Sequence, residues 1–306
     1  MFRAVTFLIL ALAAGPAISS FPDVKVEKIN ERIYALLGPS DVPNKANGGY
    51  MNNNLAVIGD KGVILVDAGS HKQAAEHILR ALRRVTDKPV THVLITHSHA
   101  DHHLGLSAFP GAEVIATEFG AREIATKGRG MVNWMKSRSG LKLDGTHPVV
   151  PQVTVAAGAR KTMEIHGVKL EAISTDTAHT SGDLIVWFPD DKVLASGDIL
   201  VHGINPNFDD GSLKKWIGVL DVVQKIPYET VLPGHGPLMR RADVIEYTGL
   251  ITDFYKTVEA VYMSKGAESD VRKKLDLARW QKLGRFEEMM GMNISVVWRQ
   301  VEEDNF

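Results

Sequence analysis

Four side chains that bind metal ions well lie within six residues, in the pattern H-x-H-x-D-H. They are His97, His99, Asp101 and His102. A buried strand is predicted at residues 90–95, and side chains alternate along an extended segment, so His97 and His99 project to the same side. A turn then presents Asp101 and His102 from a second direction. The spacing predicts two groups of ligands close together, an arrangement that suits two adjacent metal ions.

Three later positions each offer one further metal ligand, namely His179, Asp198 and His235. At each, a hydrophobic strand adjoins a Gly-containing turn. Alone, each is more typical of a turn residue, but with the first four they predict one site built from distant segments. The chain contains no cysteine, which excludes disulfides, a thiol nucleophile and thiolate ligands. A metal site must therefore be built from His, Asp, Glu and water.

The composition is that of an ordinary globular protein. The chain has 306 residues, enough for one or two domains, and is 44% hydrophobic and 23% charged. Lys and Arg number 35 against 36 Asp and Glu, a formal net charge of -1. This balance gives no support to nucleic-acid binding or to a polybasic membrane surface. We expect a small-molecule substrate and no nucleic-acid partner, and the oligomeric state stays open.

The first 19 residues are predicted to be a signal peptide. Arg3 precedes a largely apolar run at residues 4–15, Pro16 breaks that run, and Ala17 and Ser19 are spaced as a cleavage site. The run is too short for a membrane span, which needs about 20 residues. We expect cleavage, export to the periplasm or secretion, and no membrane span in the mature chain from residue 20 to 306. An uncleaved anchor is the alternative.

Strands and helices are predicted to alternate, which favours two β-rich layers with helices outside, in one domain. Residues 127–149 are predicted to be irregular, and Met131, Trp134 and Met135 there form either a small helix packed on the core or an apolar flap over a site. The tail from residue 241 is predicted to be helical, with interruptions near Gly266 and Gly291. Strands are predicted at residues 24–29, 32–37, 55–58, 63–66, 90–95, 163–173 (with a turn at 166–167), 184–188, 193–195 and 230–232. Helices are predicted at 73–85 and 213–226, and a short strand followed by a helix at 113–125.

The ordered set of Asp67, the H-x-H-x-D-H motif, His179, Asp198 and His235 resembles that of metallo-β-lactamase superfamily hydrolases, over about residues 52–237. The resemblance implies an α/β fold of four layers, an αβ/βα sandwich with the metal site at the edge between two sheets. It also implies that Asp67 steadies the ligand loop, although an Asp before Ala-Gly also suits a turn. By the same resemblance, His97, His99 and His179 bind one metal, Asp101, His102 and His235 bind the second, and Asp198 bridges both.

The residue type at the bridging position differs between branches of this superfamily. An Asp at position 198 is similar to the pattern of hydroxyacylglutathione hydrolases (glyoxalase II) and other esterase-like members, and the runs at 197–202 and 233–237 resemble exported metallohydrolases linked to quinoprotein and sulfur-oxidation systems. The resemblance implies two Zn²⁺ ions, although the ligands also accept iron or manganese. Two such ions share a hydroxide that attacks an ester, thioester or lactam/amide bond. Asp101 is the expected catalytic residue, which orients this hydroxide.

Three other functions remain open. They are a class B-type β-lactamase, a mono-iron oxidoreductase similar to persulfide dioxygenases, and a non-catalytic metal-binding component of a quinoprotein pathway. Two further residues are candidates for the pocket: His202, four residues after Asp198, and Asn54, before the first hairpin strand. A surface histidine and a turn asparagine are the alternatives. His103 is expected to point away from the metals, because His102 fills the ligand position.

Overall fold

The computed structural model describes residues 23–305. The predicted signal peptide therefore lies outside the described residues. None of the helices within this range is long and apolar enough to cross a membrane.

The first sheet has seven strands that follow one another in chain order. The strands are β1 Lys25–Lys28, β2 Ile33–Leu37, β3 Asn54–Ile58, β4 Val63–Val66, β5 Val90–Leu94, β6 Glu113–Thr117 and β7 Val153–Val155. The first four pair antiparallel, whereas β4 to β7 run parallel. The predicted hairpin at residues 55–66 is confirmed, with Leu55 opposite Val66. Because strands β4 to β7 run parallel, their carboxyl ends lie at the same edge of the sheet.

The second sheet has five strands, in the spatial order β12-β11-β10-β9-β8. They are β8 Arg160–Ile165, β9 Val168–Ser174, β10 Leu184–Phe188, β11 Val193–Ala195 and β12 Thr230–Leu232. All neighbours pair antiparallel except β11 and β12, which run parallel. The ends of β11 and β12 and the beginning of β10 therefore lie at the same edge of this sheet.

Hydrophobic side chains alternate between the two faces of each sheet, which fixes the layer order. On β10, Leu184, Val186 and Phe188 pack against the first sheet, while Ile185 and Trp187 pack against helices. The fold is therefore four-layered, with helices on both outer faces, and the predicted αβ/βα sandwich is confirmed. The helices are α1 Lys72–Leu82, α2 Ala100–His103, α3 Glu118–Ser139, α4 Leu213–Lys225, α5 Arg241–Met263, α6 Glu268–Lys274, α7 Leu277–Trp280 and α8 Phe286–Asp304.

Two predictions about helix boundaries are wrong. Helix α3 continues through Gly128 to Ser139, where an irregular segment was expected from residue 127. Glycine weakens a helix by about 1 kcal/mol, so its presence masks the helical signal. A Cβ at Gly128 would lie only 2.7 Å from the Cβ of Pro148, so the glycine allows close packing there. Similarly, Gly291 lies inside α8 and does not interrupt it, whereas Gly266 does separate α5 from α6.

Gly105 illustrates how tightly the ligand segment packs on β4. A Cβ at this position would overlap the carbonyl oxygen of Ala68, which follows β4. We expect Gly105→Ala to lower the free energy of unfolding by about 1–3 kcal/mol, and the melting temperature accordingly. Gly218→Ala is the matched control, because Gly218 lies exposed in α4 with open space around it, and alanine there should stabilise by about 0.5–1 kcal/mol. Urea unfolding of both variants measures this, and equal stability would contradict the packing argument.

Candidate metal centre

The seven predicted ligands lie at strand ends that meet at one edge of the molecule. His97 and His99 follow β5, and Asp101 and His102 lie in the short helix α2 after it. The other three lie between β9 and β10, after β11 and after β12, at His179, Asp198 and His235 respectively. Because β11 and β12 are parallel and β10 is antiparallel to β11, all three positions come to the same edge of the second sheet.

The ligand atoms gather in two groups, and within each group they lie within 4.8 Å of one another. The first group is His97, His99, His179 and Asp198, and the second is Asp101, His102 and His235. The two groups adjoin at Asp198. Its Oδ1 lies 3.2 Å from His102 Nε2, and its Oδ2 lies 3.3 Å from His235 Nε2. The carboxylate of Asp198 is therefore placed between both groups, as a bridging ligand would be.

The spacing of these atoms fits metal binding. Ligand atoms held about 2.0–2.1 Å from a tetrahedral zinc ion lie about 3.3 Å from each other. Here His179 Nε2 lies 3.0 Å from His99 Nδ1, and Asp101 Oδ2 lies 3.2 Å from His235 Nε2. Four buried ligand atoms lack a hydrogen-bond partner among the described residues, namely His97 Nε2, Asp101 Oδ2, His102 Nε2 and Asp198 Oδ1. Such groups are costly unless something binds them, so the residues fit a pair of cations.

Three of the histidines use their second ring nitrogen to fix the orientation of the ring. His102 Nδ1 lies 2.8 Å from Asp67 Oδ2, and His99 Nε2 lies 2.8 Å from Asp210 Oδ2. His235 donates from Nδ1 to the carbonyl oxygen of Met51, at 2.9 Å. In each ring the nitrogen assigned to the group of ligands is thereby left free to bind an ion. Outer contacts of this kind are typical of metal-binding histidines.

Asp67 connects the end of β4 to the ligand loop. Its Oδ1 accepts a hydrogen bond from the Thr96 backbone at 2.8 Å, and its Oδ2 accepts one from the Thr96 hydroxyl at 2.9 Å. The same Oδ2 contacts His102. The residue adopts a left-handed backbone conformation, with φ of 62°, which Asp tolerates better than most residues. One buried carboxylate thus sets the start of the loop and the orientation of His102.

The loop that carries His235 is held by Asn53. The Asn53 side chain donates to the carbonyl oxygens of Pro233 at 2.9 Å and Gly236 at 2.7 Å, and its backbone N–H donates to Gly234. A Cβ at Gly234 would overlap Oδ1 of Asp198. The loop therefore has its glycine where the Asp198 carboxylate comes closest. The hydrogen bonds from Asn53 hold the loop backbone in that position.

The remaining candidate residues lie outside the two groups. Asn54 is fully buried in β3, and its Oδ1 is 3.4 Å from the Tyr50 hydroxyl. His202 Nδ1 lies 3.2 Å from the carbonyl oxygen of Pro237. Neither belongs to the cavity lining that the described residues form. His103 is buried and places Nε2 3.2 Å from the sulfur of Met131 on α3, away from both groups.

Asp210 is a functional candidate that sequence reasoning missed. It is 61% exposed, and it lies 111 residues from the His99 ring that it contacts. Its loop is held by α8, where Asn293 donates to the carbonyl oxygen of Pro206 at 2.8 Å and Gln300 donates to that of Gly211 at 3.1 Å. The acidic pair at 209–210 was the one available signal, and such pairs are common on loops.

Charge and burial set the protonation of the ligands. Burial alone would raise the pKa of Asp101, but the charges of His102 and His235 hold it well below its usual range. Burial would lower the pKa of His235, but the carboxylates of Asp198 and Asp101 raise it to about 10. Burial, helped by the charge of His102, holds the pKa of His97 well below its usual value. Asp101 is thus ionised and His97 neutral, the forms that bind metal, whereas a cation has to displace the proton of His235.

The ligands open into a cavity of about 460 Å³, a volume suited to a small molecule. Helices α3 and α8 form two of its walls. The 131–135 segment belongs to the long helix α3, and its residues divide between the core and the cavity. Met135 is fully buried in a small core cluster, whereas Trp134 is 46% exposed and lines the cavity.

Comparison with known proteins identifies the family. A family model described as the metallo-beta-lactamase superfamily matches residues 47–235, more than half of the chain. The chain therefore belongs to the metallo-β-lactamase superfamily of metal-binding hydrolases, as the spacing of its His and Asp residues implied. The matched range contains all seven predicted ligands and ends at the last of them.

Individual relatives are distant and differ in reaction. A metallo-beta-lactamase type 2 of Elizabethkingia meningoseptica is 23% identical over 78% of this chain and 89% of that protein. The alpha subunit of a 2,4-dinitroanisole O-demethylase of Nocardioides sp. (strain JS1661) is 28% identical, over 59% of this chain and 51% of that protein. The structure of a metallo-beta-lactamase from Pontibacter korlensis is 22% identical and superposes with a TM-score of 0.61, over 75% of this chain and 99% of that one. It shows the shared fold.

The contact between Asp210 and His99 predicts a specific loss of metal affinity. We expect Asp210→Ala to weaken metal binding about 10- to 100-fold, the usual effect of removing such an outer contact. Competition with a chromophoric chelator measures the affinity. Asp209→Ala is the matched control, since Asp209 is the neighbouring acid on the same loop and should change affinity less than twofold. Equal losses in both variants would mean that loop charge, not the contact with His99, matters.

Proposed function

We propose that this protein is an exported dinuclear zinc hydrolase that cleaves an ester, thioester or lactam/amide bond of a small molecule. One observation carries the proposal: the Asp198 carboxylate lies between two complete groups of ligands. Both groups open into the same cavity. Metal binding by the superfamily and the absence of cysteine support zinc held by imidazole and carboxylate alone.

Zinc ions held by the two groups of residues would supply a nucleophile at neutral pH by lowering the pKa of water, and would polarise the scissile carbonyl. The chain's own residues do the positioning. Asp101 reaches the cavity beside His235, and its carboxylate accepts a hydrogen bond from the attacking water and directs it. Asp67 and Asp210 hold the His102 and His99 rings.

A class B-type β-lactamase is the second candidate. Similarity to the β-lactamase of Elizabethkingia meningoseptica extends over 78% of the chain, and export would place such an enzyme where it is useful. The Asp at position 198 argues for the esterase-like branch instead, because the thiolate-containing β-lactamases place Cys there. A mono-iron oxidoreductase needs one ligand group only, whereas here the second group is complete. A non-catalytic binding component would use Asp101 only as a metal ligand, although this carboxylate also reaches the cavity.

Metal content and turnover test this proposal together. We expect two zinc ions per chain, and hydrolysis of aryl esters or thioesters that exceeds hydrolysis of a chromogenic cephalosporin. Asp101→Asn should reduce kcat about 10²- to 10⁴-fold, the usual contribution of a positioned acid or base, while the His97, His99 and His179 group keeps its ion. Elemental analysis and a substrate panel measure both quantities.

Asp221→Asn is the control, because Asp221 is exposed on α4 away from the ligands. Unchanged turnover in Asp101→Asn would refute the role of that carboxylate. Efficient cephalosporin hydrolysis would favour the β-lactamase. One iron per chain with oxygen consumption would favour the oxidoreductase, and full metal occupancy with no hydrolysis would favour the binding component.

Export is tested by the N-terminus of the mature protein. The charged start, short apolar run and small residues at 17–19 lead us to propose cleavage after residue 19. Expressed from its full-length gene, the protein should appear in the periplasm or medium with Ser20 as its first residue. Edman sequencing or mass spectrometry of that fraction measures this. A full-length chain retained in the membrane fraction would support an uncleaved anchor instead.

A further inference from the structure

Two helices present apolar side chains to the cavity that contains the ligands. On α3, Met131 and Trp134 line it, and on α8, Met289 and Met292 line it. We call these four residues the apolar wall. Spacings of three residues place each pair on one face of its helix. The predicted metal ligands and the apolar wall thus line the same cavity.

Part of the apolar wall is exposed in a way that core packing does not explain. Trp134 is 46% exposed and Met292 is 38% exposed. Core residues bury such side chains because exposure of a large apolar surface is unfavourable. Here the exposed surface faces a cavity beside a metal-binding site, which is where a ligand would cover it.

The position of Met131 connects the apolar wall to the ligand segment. Its sulfur lies 3.2 Å from Nε2 of His103, the residue that follows the ligand His102. From Met131, the face of α3 continues through Trp134 to Arg138, a length of about 10 Å at the usual rise of a helix. A bound molecule with one end at the predicted metal ligands can therefore extend along α3.

Three charged residues at or next to the cavity-facing sides of α3 and α8 are engaged with other groups. Arg285 and Glu288 form two hydrogen bonds, at 3.1 and 2.9 Å. The Arg138 guanidinium lies 6.0 Å from the centre of the Trp134 ring. The hydrogen bond from Arg285 lowers the pKa of Glu288, and the charge of Arg138 also contributes. These contacts leave the surface between the two helices to apolar atoms.

Half of the apolar wall belongs to a part of the chain that the family model does not describe. The match ends at residue 235, whereas Met289 and Met292 lie in α8. The wall is thus a feature of this chain, beyond the common metal site. Three of its four members are methionines, whose flexible side chains adapt to different apolar shapes.

We propose that the substrate carries an extended apolar arm, an alkyl or aryl group, that lies on the apolar wall while the bond to be cleaved lies at the metal ligands. The inference rests on the proposed function, of which it names the substrate class. It follows that short substrates are poor ones, and that the arm contributes through binding and so through KM.

A series of p-nitrophenyl esters, from acetate through butyrate to octanoate, tests this with the metal-loaded protein. Each methylene buried on the wall should raise kcat/KM about three- to fourfold. Trp134→Ala and Met292→Ser should each raise KM for octanoate about tenfold and leave that for acetate within twofold. Met263→Ser is the matched control, because Met263 is 63% exposed on α5 and does not line the cavity.

A binding measurement separates this inference from the proposed function. By isothermal titration, octanol should bind on the order of one-hundredfold more tightly than butanol, and Trp134→Ala should abolish most of that difference. If no ester, thioester or lactam is hydrolysed but octanol binding behaves in this way, the proposed function fails and the apolar arm stands. Equal turnover of acetate and octanoate, or a chain-length preference that survives in both variants, would overturn the inference.

Discussion

The centre of this structure is the burial of ionised carboxylates among imidazoles. Asp101 and Asp198 each place an oxygen within 3.3 Å of His235 Nε2. Burying such charges without compensation costs several kcal/mol, and four of the ligand atoms have no hydrogen bond among the residues described. Positive charge at this point offsets the cost, and protonated imidazoles or bound cations can supply it, so the arrangement favours binding cations once the imidazoles are neutral.

The surrounding structure limits how far these ligands can move. Gly105 and Gly234 stand where any side chain would overlap Ala68 or Asp198, so the two loops approach more closely than other residues allow. Asp67 then ties the end of β4 to the ligand segment through Thr96. Because these contacts act on backbone as well as on rings, the ligands are positioned before an ion arrives. Such preorganisation is what a metal site needs to select its geometry.

The fold and much of the site could be predicted because their signals are local. The continuous apolar run at residues 184–188 indicates a strand buried on both faces, and His and Asp residues beside glycine turns mark the ends of strands. Asp210 gave no such signal, since its contact with His99 joins residues 111 apart through an exposed side chain. The second half of helix α3 was missed for a related reason, because Gly128 allows close packing of Pro148, which lies outside the helix. Contacts between distant parts of the chain determine the position of Asp210 and the length of α3, and the spacing of residues in the sequence does not reveal such contacts.

Helix α8 contacts the loop beside the predicted metal site and also lines the cavity where the proposed apolar arm would lie. Asn293 holds the loop that carries Asp210, while Met292, the preceding residue, lines the cavity. A shift of the helix backbone would therefore disturb the orientation of His99 together with the wall. Exchange of a side chain on its cavity face would change only the wall. Substrate preference can then vary by substitution at positions such as 289 and 292, provided that the helix itself stays in place, because the strand ends fix the metal ligands independently of these positions.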